Sequence, residues 1–141
     1  METIQFIHSG WVYIVLIVLV LATLNALYKL FADKEFDAKD FRISLFALIT
    51  MHIQLLIGIV LWFTKGYFDE LSVGEIMKND AIRKLAVEHP TTMIIAVALV
   101  TIGYSKHKKK LVSKPKFKIL SIFYTIALAL VLYMIPWNLW F

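Results

Sequence analysis

The stretch that decides the fold covers residues 11–24 and reads WVYIVLIVLVLATL. It contains no charged residue and lies within an apolar run that extends roughly from Ile4 to Phe31. Because about 20 helical residues cross a hydrocarbon core, this run is long enough to span a bilayer. Three further apolar runs approach or exceed that length, and they cover roughly Ile43–Phe63, Leu85–Tyr104 and Phe117–Trp137.

The composition leaves little room for anything besides these segments. Of the 141 residues, 60% are hydrophobic, which is above the usual share in soluble globular domains. The pattern predicts an all-α, integral membrane, up-down four-helix bundle, since short inner loops make consecutive helices antiparallel neighbours. In the second loop, Ser72–Glu75 fits a capping box and predicts a short interfacial helix. The whole chain, 1–141, is then a single domain with helices at about 4–31, 43–63, 81–104 and 117–137.

The basic residues predict the topology. Seven of the fifteen Lys and Arg lie within Lys106–Lys118 and four within Lys29–Arg42, so these two loops are expected on the cytoplasmic side. Both termini and the loop at 64–88 are then outside, in the periplasm of a bacterial inner membrane. The inner loop Ser105–Lys116 is expected to be irregular. The tryptophans agree with this topology, because all four fall near the predicted outer ends: Trp11, Trp62, Trp137 and Trp140.

The same charge pattern bears on partners. Most of the basic residues lie in two loops at one membrane face, which indicates contact with anionic lipid rather than with nucleic acid. The first apolar run is too long, and Met1–Thr3 too poor in basic residues, for a cleaved signal peptide. The absence of cysteine excludes a disulfide, a cysteine-ligated iron–sulfur cluster and haem attached through a C-x-x-C-H motif.

Several polar residues and one proline have expected structural roles. Asp40 is placed to cap the second helix. Pro90 should kink the third helix and free the carbonyl of Ala86 from its helical hydrogen bond. The buried amides of Asn25 and Gln54 are expected to form hydrogen bonds between helices.

Three histidines carry the functional argument: His8, His52 and His89. An ionisable group within a membrane segment is a functional-site candidate, and neutral imidazole is a common axial ligand of haem iron. The topology puts His8 and His89 near the outer face. It puts His52 near the midplane, about 15 Å below Phe63 at 1.5 Å per residue. His107, between lysines, is expected to be a solvated loop residue.

Depth then ranks the possible ligand pairs. Helices one and three are diagonal in a simple up-down bundle, so His8 and His89 form the preferred pair for one haem iron. His52 with His89 is the second pairing. Without a ligand role, His52 can bind a haem propionate, line a quinone site or relay protons. Each of the three can also be an ordinary packing or interfacial residue.

Three short motifs resemble a known family. They are similar to motifs of small bacterial four-helix membrane proteins described as cytochrome b-like. The three motifs are His52–Gly58, Glu88-His89-Pro90 and Ile135-Pro136-Trp137. The resemblance covers nearly the whole chain, and it implies haem b on His52 and His89, together with His8. The layout also resembles small haem-binding bacterial protoporphyrinogen oxidases. Those enzymes carry a lysine within helix three, where this chain has none from Met93 to Gly103.

These observations predict a membrane b-type cytochrome that transfers electrons, with quinol as a candidate donor and an unidentified protein as acceptor. One alternative is an oxidoreductase of haem biosynthesis, similar to the protoporphyrinogen oxidases. Another is a non-redox accessory subunit of a larger membrane complex. The sequence is also compatible with a homodimer.

Overall fold

Four long helices account for most of the chain in the computed structural model. The structure describes residues 2–140, without the side chains of Glu2, Leu139 and Trp140. In chain order the α-helices are α1 (Glu2–Phe31), α2 (Ala38–Lys65), α3 (Tyr67–Glu70), α4 (Val73–Lys78), α5 (Asp80–Arg83), α6 (His89–Lys108), α7 (Ser113–Met134) and α8 (Trp137–Trp140), with a π-helical turn at Lys84–Glu88 between α5 and α6.

Four segments are long and apolar enough to cross a membrane, and this confirms the expected multi-pass membrane protein. They cover Thr3–Phe31, Ala38–Glu70, Asp80–Lys108 and Ser113–Met134. Large apolar side chains also cover much of the outer surface: Phe6, Leu24, Phe46, Leu56 and Ile94 are all exposed. An apolar exterior of this extent is what lipid, rather than water, solvates.

The long helices form a ring in which α1 packs on α2 and α7, and α6 packs on the same two helices. Helices α1 and α6 are therefore diagonal, as expected. Helices α6 and α7 approach each other closely at Gly103, where an added Cβ would lie 2.5 Å from the Cβ of Phe123. The centre is filled by fully buried side chains from all four helices, among them Leu19, Ala47, Val100 and Tyr124.

The α1–α2 connection is held by two aspartates. Asp37, not Asp40 as expected, caps α2 by accepting from the backbone N–H groups of Lys39 and Asp40. The bond from the Asp40 N–H is the largest of the effects that hold the pKa of the Asp37 carboxyl below its ordinary value of 3.8. Asp40 is buried and accepts from Asn25 at 2.7 Å and from Lys29 at 2.8 Å. The predicted interhelical bond of Asn25 is thus confirmed, and it brings α1 onto the first turn of α2.

The second connection contains the predicted short helix. Ser72 and Glu75 form both bonds of the capping box at the start of α4, as expected, and Asn79 caps α5. As expected, Pro90 has no N–H to donate to the carbonyl of Ala86. The chain accommodates the proline with the π-helical turn, and Trp62 Nε1 donates to the Ala86 carbonyl at 2.8 Å.

The third connection is shorter than predicted. The expectation of an irregular loop from Ser105 to Lys116 is wrong: α6 continues to Lys108 and α7 begins at Ser113. Pro115 is the third residue of α7, in the first turn where a missing N–H costs no helical bond. The fourth long helix ends at Met134 rather than near Trp137, because the residue before Pro136 is extended.

His107 is fully buried, so its expected place in a solvated loop is wrong. Its Nδ1 donates to the carbonyl of Tyr104, and its ring lies against those of Phe36, Phe41 and Tyr104. One more turn of α6 than predicted brings the ring onto the chain that connects α1 to α2. The prediction was wrong because the lysines on either side of His107 indicated an exposed segment. Those lysines are exposed, whereas the histidine side chain points into the protein.

Candidate functional site

A cavity of about 610 Å³ lies between the long helices at the end of the bundle where α1 begins, here called the N-terminal end. Its volume falls in the usual range for small-molecule and cofactor sites. His8 from α1 and His89 from α6 both line it, whereas His52 does not. Most of the wall is apolar, and its members include Val15, Met51, Leu55, Met93, Val97 and Val131.

His8 is held from two sides by α2. Gln54 Nε2 donates to the His8 carbonyl at 2.8 Å, which confirms the predicted interhelical bond of Gln54. The imidazole of His8 lies over Gly58, where an added Cβ would come within 3.1 Å of the ring atom Cε1. Glycine at residue 58 therefore leaves the room that the imidazole occupies.

Two buried polar atoms beside this contact lack a hydrogen bond among the described residues: Nδ1 of His8 and Oε1 of Gln54. Buried polar atoms are normally hydrogen-bonded, and an exception calls for an explanation such as a missing water or ligand. Both atoms belong to side chains that line the cavity. The cavity is thus polar enough at this point to hold a molecule with a donor.

His89 is oriented by the end of α7. Its Nδ1 lies 3.0 Å from the carbonyl oxygen of Met134, the last residue of that helix. Such terminal carbonyls have no partner within their own helix, so this one is free to accept. Because a carbonyl oxygen only accepts, the proton must be on Nδ1. The lone pair of neutral His89 is then on Nε2, the arrangement typical of a metal-binding histidine whose other nitrogen is anchored.

The two imidazoles lie next to each other across the diagonal of the bundle. Their ring centroids are 6.3 Å apart, with an angle of 81° between the ring planes. Metal–imidazole bonds of about 2 Å put two rings on opposite sides of one metal ion about 6 Å apart, centroid to centroid. The observed spacing matches that arrangement.

No group of three or more His, Cys, Asp or Glu residues that could hold a bare metal ion occurs within residues 2–140. The pair of His8 and His89 supplies two ligands only.

The position of His89 depends on the π-helical turn that precedes it. Besides the bond from Trp62 to Ala86, the side chain of Arg83 donates to Glu88 at 2.8 Å and to the carbonyl of Met77 at 2.7 Å. These bonds hold the turn against α2 and α4. π-Helical turns inside helices are frequently found at functional sites, and this one ends directly at the candidate ligand.

His52 lies apart from the other two histidines. Its Nδ1 donates to the carbonyl of Leu48 at 2.8 Å, and its Nε2 is 3.5 Å from the hydroxyl of Thr101 on α6. His8 contacts α2 at Gly58, which is six residues beyond His52 and therefore about 9 Å further along the helix. The structure thus brings His8 and His89 together and leaves His52 deeper in the bundle.

The mouth of the cavity carries a polar pair that the sequence analysis did not single out. Lys65, the last residue of α2, donates to Gln5 on α1 at 2.9 Å, and both side chains line the cavity. The available signal was weak, because a lysine at the end of a membrane helix is an ordinary anchor. Only the packing of α1 on α2 shows that it borders the site.

Comparison of the chain with protein-family models, with curated proteins and with solved structures finds no match.

Proposed function

We propose that this protein is a membrane b-type cytochrome that holds one haem b in the cavity at the N-terminal end. In this proposal, His8 and His89 would hold the haem iron. The observation that carries it is the pair of imidazoles 6.3 Å apart, contributed by diagonal helices to one cavity.

The chemistry of the cavity supports a haem over other cofactors. A porphyrin is a large apolar ring with carboxylate groups at one edge, and the cavity combines apolar walls with Lys65 at its mouth. The lysine provides a cation that carboxylates can bind. The anchored Nδ1 of His89 leaves Nε2 for the iron, and the missing Cβ at Gly58 makes room for His8.

The ligand set favours electron transfer. His8 and His89 would both be occupied in holding a bound haem, and such a haem would supply electron transfer rather than oxygen or substrate chemistry. The haem would supply one-electron chemistry, and the protein would set its potential through the ligands, their hydrogen bonds and the apolar surroundings. Quinol within the bilayer is the proposed donor and a second protein the proposed acceptor, in a bacterial inner membrane with both termini outside.

The direct test is an absorption spectrum of the chain expressed with a supply of haem and purified in mild detergent. We expect reduced-minus-oxidised bands of a six-coordinate b-type haem, at one haem per chain by pyridine haemochromogen assay. Chain that purifies folded but without haem would contradict the proposal and favour the accessory-subunit alternative. Turnover of a porphyrinogen by the haem-loaded chain would move the assignment to the enzyme alternative.

A further inference from the structure

A second pocket lies at the opposite end of the bundle, against the first turns of α7. Its volume is about 420 Å³, and it is lined by Lys110, Lys114, Pro115, Lys118 and Ile119. We call it the lysine pocket. Three lysines and two apolar residues therefore border one small space, which is distinct from the histidine cavity.

Among the described residues, the three lysines of this pocket have no acidic partner. Within residues 2–140, side-chain ion pairs are made by two basic residues only. Lys29 pairs with Asp37 and Asp40, and Arg83 pairs with Asp80 and Glu88. No Asp or Glu follows residue 88 in the sequence. Lys114 and Lys118 are also four residues apart on one helix, where like charges repel each other. An anion in the pocket would relieve this repulsion.

Three other lysines at this end of the bundle contact aromatic rings. Lys106, Lys108 and Lys116 each lie over an aromatic ring, at 5.1–5.9 Å from its centroid. None of the three lysines of the pocket has such a ring contact among the described residues.

Two neighbouring residues indicate what kind of anion fits. Leu111 is 97% exposed and Val112 is 61% exposed, directly after Lys110 in the chain. Apolar side chains at the end of a membrane helix are stabilised when they enter the lipid interface. Pro115 and Ile119 add apolar surface inside the pocket itself. A ligand with a charged phosphate and an apolar body matches these features better than a small free anion.

We propose that the lysine pocket binds the phosphate-bearing headgroup of an anionic phospholipid. The lysines contact the headgroup, while Leu111 and Pro115 contact its glycerol and the first part of its acyl chains. Because this site is independent of the histidine cavity, it requires no haem.

Native mass spectrometry of the whole purified chain in mild detergent tests the proposal. We expect the chain to retain added phosphatidylglycerol in preference to phosphatidylcholine. The triple variant K110Q/K114Q/K118Q should bind phosphatidylglycerol at least about tenfold more weakly, since each lysine near an anionic surface contributes a several-fold factor. The control K106Q/K108Q/K109Q removes the same number of charges from the same end of the bundle and should retain the lipid.

Three results would overturn the proposal. Equal weakening in both triple variants would mean that diffuse charge, not the pocket, attracts the lipid. Competition by inorganic phosphate at the same concentration as the lipid would indicate a site for a free anion. Equal retention of both lipids by the unmodified chain would mean that the pocket has no headgroup preference. If circular dichroism shows that a triple variant does not fold, Lys114→Gln against Lys109→Gln makes the same comparison.

Discussion

At the scale of single residues, the site depends on how two imidazoles are held. His89 is anchored through Nδ1 to Met134, at the end of α7. His8 is placed by close contact with Gly58, without a side-chain bond to its Nδ1 among the described residues. One candidate ligand is thus fixed by a hydrogen bond and the other by shape.

This difference gives a prediction for two glycines. In Gly58→Ala the new Cβ would lie 3.1 Å from Cε1 of His8, so the imidazole must shift and haem content or the reduced spectrum should change. Gly10→Ala is the matched control, because nothing lies within 4 Å of its new Cβ. Both changes favour the helix by up to about 1 kcal/mol. Absorption spectra of the two variants make the comparison, and identical spectra would contradict the role given to Gly58.

The sequence predicted that His8 and His89 lie near each other on diagonal helices, but not the contacts that hold them. Helix order and depth follow from apolar run lengths, and these are enough to place two histidines on diagonal helices at similar height. The bond to Met134 depends on α7 ending at that residue, and the contact with Gly58 depends on how α1 rotates against α2. Neither rotation nor helix end can be obtained from hydropathy alone, and His107 was misplaced for the same reason.

At the scale of secondary-structure elements, the π-helical turn at Lys84–Glu88 sets the position of His89. The proline at residue 90 made a distortion predictable, since it removes the donor for the Ala86 carbonyl. The form of the distortion was not predictable, because it depends on a partner from another helix. Trp62 is that partner, and its indole N–H replaces the missing donor.

A comparison of two tryptophans tests this role. Trp62→Phe leaves the Ala86 carbonyl without its donor, at a cost of about 1–3 kcal/mol, and should weaken haem retention by releasing the turn before His89. Trp11→Phe removes a similar bond, from the indole to the Thr50 carbonyl at 3.0 Å, away from this turn. Thermal unfolding and haem content are measured for both variants. Comparable destabilisation with haem loss confined to Trp62→Phe is expected; equal haem loss would contradict the positioning role.

At the scale of the whole molecule, the two ends of the bundle have different chemistry. The N-terminal end holds an apolar cavity lined by two histidines, and the opposite end holds a basic pocket beside exposed apolar residues. The four-helix architecture was predictable, because every long apolar run forms a helix. The cavity was not, since it arises where the long helices leave space between them at one end.

The central claim is that His8 and His89, and not His52, hold the haem. The most direct measurement is the reduced-minus-oxidised spectrum of three purified variants: His8→Ala, His89→Ala and His52→Ala. We expect loss of haem or of six-coordinate bands in the first two variants, and an unchanged spectrum in the third. A normal spectrum in His8→Ala or His89→Ala, or haem loss confined to His52→Ala, would contradict the account.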